Sequence, residues 1–281
     1  MIRQKGSILV LILWVLIILS LLSIAISYRA SGDIKLAKYE ADNIKSLYLA
    51  KAGIAKMIAE LSKDINDYDS LNEDWAKEKE FAFRGGSCLY SASDEDARFN
   101  LNSSDLSGYR EYLTRLGLDS DLSQKLLDYR IKKGEKGFEF MEELFLTDGM
   151  TRDIYSNIKD NVTIYKGIEP KVNINTADEN VLRAVVANDL IINKIIEFRN
   201  GNDNKPGTED DGIFSEADFS IIFSGFGLTP EDILNYQGLF KPKSDFFRIT
   251  ANASFSEDRK IIKSVIAVVN RSGKIYYWKE E

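Results

Sequence analysis

The chain has 281 residues, 44% of them apolar, and a formal charge of −7, which is material for one large domain or two modest ones, each with a core. It contains no histidine and a single cysteine, Cys88, which excludes disulfide frameworks, thiolate or imidazole metal sites and every mechanism built on a histidine base. The balance of 37 Lys and Arg against 44 Asp and Glu disfavours a polyphosphate partner, because such partners select clustered cations.

The first element is apolar throughout: from Ser7 to Tyr28 there is no charged side chain. As a helix rising about 1.5 Å per residue, this run reaches roughly 33 Å, enough for a hydrocarbon layer of about 30 Å. Arg3 and Lys5 precede it, and a basic flank keeps the N-terminus cytoplasmic and sends the remainder across. The competing reading, a cleavable secretory peptide, calls for an apolar region of about 7 to 15 residues and a small-x-small site. Beyond the run, Ile34, Ala37, Ala41, Ile44, Tyr48, Ala52, Ala55 and Ile58 recur at spacings of three or four with charges between them. One long helix from Ser7 to Leu61 is predicted, half in lipid and half on a water-facing body, with a bend allowed at Ser31-Gly32.

A short basic leader ending in Gly6, then Ser7 and an unbroken apolar run, resembles the class III signal of type IV pilins and type II secretion pseudopilins. The resemblance implies that prepilin peptidase cuts between Gly6 and Ser7 and methylates the new N-terminus. One position departs from the common pattern. These subunits usually carry glutamate as the fifth mature residue, and Leu11 stands there. An acid in a bilayer costs about 2.5–3.5 kcal/mol unless it meets a positive partner, and in the family that partner is held to be a neighbouring subunit's amine. A subunit with Leu11 lacks this link to a subunit placed before it, which suits a filament tip. An apolar fifth residue resembles the minor pseudopilins of the general secretion pathway protein K family. The plainer alternative is an ordinary membrane anchor.

The stretch Asp64 to Glu80 is charged and weakly apolar and reads as a loop or frayed helix. Gly85 to Ser93 alternates, with Cys88, Tyr90 and Ala92 on one side, and predicts a first strand. An internal repeat follows. RFNLNSSD, Arg98 to Asp105, is echoed by KVNINTAD, Lys171 to Asp178, so that Asn100 and Asn102 match Asn173 and Asn175. LLDYR ending at Arg130 is echoed by IIEFR ending at Arg199, and GMTRDI by GLTPEDI, in the same order. Two copies of one helical unit are predicted. Asn102, Asn175 and Thr176 are expected to cap helices, with Glu179 at capping-box spacing from Thr176, and Arg130 and Arg199 to end helices at the negative pole. Phe138, Phe140, Phe214 and Phe219 read as lobe core. The C-terminal stretches Phe246 to Phe255, Ile261 to Asn270 and Lys274 to Lys279 predict an antiparallel meander.

The repeat resembles helix-hairpin-helix modules, some of which bind DNA, and also the inserted α-domain of the protein K family. Electrostatics separate the two. Residues 172–245 carry six basic and thirteen acidic side chains, and residues 97–170 carry eleven and thirteen. Gly225-Phe226-Gly227 has the turn of a DNA-binding hairpin without its cations, and Ala187-Asn188-Asp189 at the other hairpin lacks the motif. No nucleic acid is expected. The loop Asn200 to Gly212 crowds Asp203, Glu209, Asp210 and Asp211 around Pro206-Gly207, an all-oxygen donor set of the kind calcium takes, though without EF-hand spacing; a solvated acidic loop is the alternative. The protein K resemblance also implies calcium in the α-domain, without a residue-by-residue match to this loop. No motif marks a catalytic group, and no enzyme activity is expected.

The expected fold is α+β: a long transmembrane and amphipathic helix on a pilin-like antiparallel sheet, with a large inserted helical domain of two helix-hairpin-helix (SAM-like) repeats. The divisions are a leader at 1–6, the helix at 7–62 with 7–28 in the membrane, linker and first strand at 63–96, the inserted domain at 97–245 in repeats 97–170 and 171–245, and the β meander at 246–281. The resemblance implies a tip subunit of the type II pseudopilus in the bacterial inner membrane, head in the periplasm. Its implied partners are I-type and J-type minor pseudopilins, the major pseudopilin and prepilin peptidase. A membrane-anchored helix-hairpin-helix DNA-binding protein and a minor type IV pilin are the alternatives.

Overall fold

The computed structural model describes residues 5–103, 106–165, 171–255 and 263–281, with side chains from residue 8 onward. Helix α1, Lys5–Leu61, runs unbroken for 57 residues and remains helical at Ser31-Gly32. Its first half is apolar on every side and exposed, and among the described residues α1 is the helix long and apolar enough to cross a membrane. In its second half Ser46, Leu49, Ala50, Ile54, Met57 and Leu61 turn inward at helical spacing and are buried.

What they meet is one face of a five-stranded antiparallel sheet in the order β1-β2-β7-β8-β9. The strands are β1, Lys79–Phe83, β2, Gly86–Asp94, β7, Phe246–Ser254, β8, Lys263–Asn270, and β9, Ile275–Glu280. Alternation decides the face: Cys88, Tyr90 and Ala92 of β2, Phe247, Ile249, Ala251 and Ala253 of β7, and Val265, Ala267 and Val269 of β8 all point at α1. Their small size lets the helix lie close. A Cβ placed on Gly53 would stand 2.7 Å from Cys88 Sγ and 3.1 Å from Ala251 Cβ. The sheet holds one strand more than the sequence predicted, since β1 occupies part of the stretch read as linker. Its hairpin to β2 turns on Arg84 and Gly85, both at positive φ (48° and 86°), the conformation of a tight two-residue turn.

Between β2 and β7 the chain leaves the sheet and builds a helical lobe in two similar halves around a continuous apolar core. The first half contains β3, Phe99–Asn100, α2, Tyr109–Arg115, α3, Ser120–Lys133, a 3-10 segment, Met141–Leu146, α4, Arg152–Ile158, and β4, Val162–Thr163, which pairs in parallel with β3. The second contains β5, Val172–Asn173, α5, Glu179–Val185, α6, Asp189–Arg199, α7, Phe219–Gly225, α8, Pro230–Leu239, and β6, Phe240–Lys241, parallel to β5. Phe138, Phe214 and Phe219 are core as expected, whereas Phe140 is 60% exposed. The α+β class read from the sequence is the class observed.

Candidate functional site

Gly6 and Ser7 stand in the first turn of α1, where the backbone alone is described. Leu11 lies one turn further on, 64% exposed amid Ile8, Leu9, Val10, Ile12 and Leu13, which are exposed as well. The first acid on the helix is Asp33, well past the apolar run. A helix surface of this kind is stable in lipid or against other apolar helices, because its backbone polar groups are satisfied internally and its side chains carry none.

Lower on α1, the side turned away from the buried stripe is not covered. Ile44 and Tyr48 are 56% and 68% exposed and border a groove of about 720 Å³ between the helix and the β1 edge. Phe81 and Phe83 of β1 and Phe255 at the end of β7 complete its apolar walls, with Lys45 and Arg84 at the rim. Lys45 lies 5.7 Å over the Phe255 ring and Lys56 5.1 Å over Phe81, so cations shield part of the aromatic surface.

The three residues expected to cap helices do something else. Helix α5 begins after Asp178, whose side chain makes no capping bond, and α2 begins after Gly108. Asn102 instead accepts from Phe138 N (2.7 Å) and donates to Phe138 O (2.8 Å) and Ile164 O (2.7 Å). Asn175 repeats this bond for bond, accepting from Phe214 N (2.9 Å) and donating to Phe214 O (2.9 Å) and Pro242 O (3.2 Å). Upstream, Asn100 Oδ1 takes the Asn102 amide and Asn173 Oδ1 the Asn175 amide. Thr176 donates its hydroxyl to Asp94. Each asparagine thus supplies buried backbone with both donor and acceptor where no secondary structure does, a need as strict as a cap. Arg199 ends α6 as expected, whereas α3 runs three residues past Arg130 to Lys133; both side chains reach back to carbonyls of these same turns, Arg130 to Asn102 and Ser103, Arg199 to Ile174 and Ala177.

In the acidic loop, the carboxylates are partly held by the loop itself. Asp210 Oδ2 accepts the amides of Asn202 (2.6 Å) and Asp203 (3.2 Å), and Asp211 Oδ2 that of Gly207 (2.6 Å). Their other oxygens and Asp203 Oδ1 surround the Thr208 hydroxyl at 2.8, 3.1 and 3.4 Å. One hydroxyl proton serves a single acceptor, so like charges stay crowded there. Thr208 and the backbone amides hold the Asp210 carboxyl below the usual carboxylate range. Glu209 is exposed and stands outside this arrangement of bonds. Among the described residues, Asp64, Asp69 and Glu73 bring three carboxylate oxygens within 4.8 Å of one another. That trio is engaged already: Arg271 donates to Asp64 and Asp69, and Trp75, Asn66 and Ser70 N donate to Glu73.

No family model and no curated protein sequence matches the chain. Among solved structures it is similar to a chain of the crystal structure of the GspK-GspI-GspJ complex from the enterotoxigenic Escherichia coli type 2 secretion system. The TM-score is 0.60 at 13% identity, over 88% of this chain and 98% of that one. Since the lobe makes up more than half of the sequence, coverage this broad takes in most of the lobe. The two chains share a fold.

Proposed function

We propose that this chain is a non-enzymatic minor pseudopilin of a type II secretion system, of the protein K kind, which helps initiate and cap the pseudopilus for export of folded proteins. The observation that carries the reading is the fold likeness to a chain of the GspK-GspI-GspJ complex over 88% of this chain. The lack of an acid at Leu11 supports a place at the tip, since the apolar run offers no carboxylate to the amine of a preceding subunit. In this reading α1 crosses the inner membrane once, with residues 1–6 cytoplasmic and the head periplasmic. The I-type and J-type partners pack along residues 37–61, where the groove beside Ile44 and Tyr48 offers apolar surface. Mass spectrometry of the mature chain tests the processing step: a methylated N-terminus at Ser7 is expected. An intact Met1, or a cut beyond Ala25, in cells with active prepilin peptidase contradicts it.

Calcium at the acidic loop belongs to the same reading. Asp203, Asp210 and Asp211 would hold it, and the crowding of their oxygens around one hydroxyl is what a divalent cation would relieve. Millimolar calcium is expected to raise the Tm of the wild-type chain by a few degrees and that of Asp210→Asn by much less. An equal response of the two assigns the effect elsewhere.

A further inference from the structure

The first repeat borders a cleft of about 340 Å³ on the sheet face turned away from α1, a volume within the range of small-ligand pockets. Rings line it from both sides: Phe140, Tyr155 and Tyr165 from the repeat, Tyr276 and Tyr277 from β9. The repeat's own fold does not call for Phe140 and Tyr165. Asn102 and Asn175 bind Phe138 and Phe214 alike, and two residues further on stand Phe140 in one copy and Glu216 in the other. The same asparagines bind the carbonyls of Ile164 and Pro242, and the next residues are Tyr165 and Lys243. The copy beside the cleft is thus aromatic where its twin is charged, and Phe140 stays 60% exposed, so the lobe core gains little from it. On the sheet side a bulge does the gathering. Tyr277 pairs with Val268 and Ile275 with Val269, which leaves Tyr276 as an extra residue. Successive strand residues ordinarily point to opposite faces, yet Tyr276 and Tyr277 both line the cleft.

Strand β9 is also an edge of the sheet. Ser264 and Glu281 exchange both backbone bonds. By antiparallel alternation the N–H and C=O of Lys279 and Tyr277 then face β8, and those of Trp278 and Glu280 face outward. Among the described residues nothing meets these outward groups. Donors and acceptors alternating at strand spacing are matched by another extended backbone. Charge narrows the occupant further. Of the cations lining the cleft, Arg98 and Arg248 are held by Glu95, and Lys279 by Glu281. Among the described residues Glu139, Glu142 and Asp160 form no ion pair, and Lys159 is the one unpaired cation lining the cleft with them. Aromatic faces and unpaired carboxylates both attract a cation.

We infer that β9 and this cleft form a docking site for an extended polypeptide segment of a partner protein, which adds a strand to the sheet edge and places a Lys or Arg side chain among the rings. The segment's backbone satisfies Trp278 and Glu280, and its alternate side chains fall on the cleft side, beside Tyr277.

A phage library of short random peptides, selected on the full chain in detergent, tests the site. Enriched peptides are expected to share a Lys or Arg. A synthetic copy of the most enriched peptide is expected to bind the double variant Glu142→Gln with Asp160→Asn about tenfold or more weakly than wild type, and Phe140→Ala more weakly as well. All three side chains are exposed, so the substitutions leave folding intact. N-methylation at every second peptide residue is expected to weaken binding about tenfold or more, and at the residues between by less than about twofold. No enrichment, enrichment without a basic residue, wild-type affinity in the acid double variant, or N-methylation that acts at no position or at all positions alike would each overturn the site.

Discussion

Asn102 and Asn175 show how much a residue pattern reveals and where it stops. Their spacing disclosed the repeat, and the structure gives the two the same bonds, to Phe138 in one half and Phe214 in the other. The capping role was misjudged because the helices start later, after Gly108 and Asp178, and the acceptors lie 36 and 39 residues away in sequence. Local spacing carries no signal for a partner that distant. Asn102→Ala and Asn175→Ala each strand a buried N–H and two carbonyls, so urea unfolding is expected to show a loss of about 3 kcal/mol or more for either. A loss below about 0.5 kcal/mol would remove the asparagines from the fold's essential bonds. Cys88 gives a second test. Burial pushes its thiol up to about 11, so a thiol reagent at pH 8 is expected to label it only once the chain is unfolded.

At the level of elements, strands with one buried face were legible and the outer edge was not. β2 alternates between buried and half-buried residues along its length, and the alternation was visible in GSCLYSAS. β1 is mostly exposed, contains Lys79 and Glu80, and pairs on one side alone, so the charged stretch around it resembled a linker. The contact of α1 with the sheet rests on small residues, which hydrophobic periodicity underweights. Gly53→Val would drive methyl groups into Cys88 and Ala251, and is expected to cost about 1–3 kcal/mol by denaturant titration. The exposed wall of the groove answers differently. Ile44→Ser with Tyr48→Ser is expected to change stability by less than about 0.5 kcal/mol, as surface substitutions do. The same pair is expected to reduce co-purification with I-type and J-type subunits; undiminished recovery would place those partners on another surface.

For the whole molecule, the chain combines two designs with different demands. The upper helix has no use for charge, while the head buries a chain of acids and bases at the point where its lobe is attached. The first was plain in sequence as a run without charge. The second was not, since nothing local to Glu95 and Asp96 announces their partners Arg248 and Lys241, which arrive from more than a hundred residues away. In the proposed reading, the apolar Leu11 suits a subunit that ends a filament rather than one repeated within it. The most direct test is to label the lobe at a single exposed site and count labels on assembled pseudopili by electron microscopy. The account predicts one label per filament, at an end; labels recurring along the shaft would contradict it.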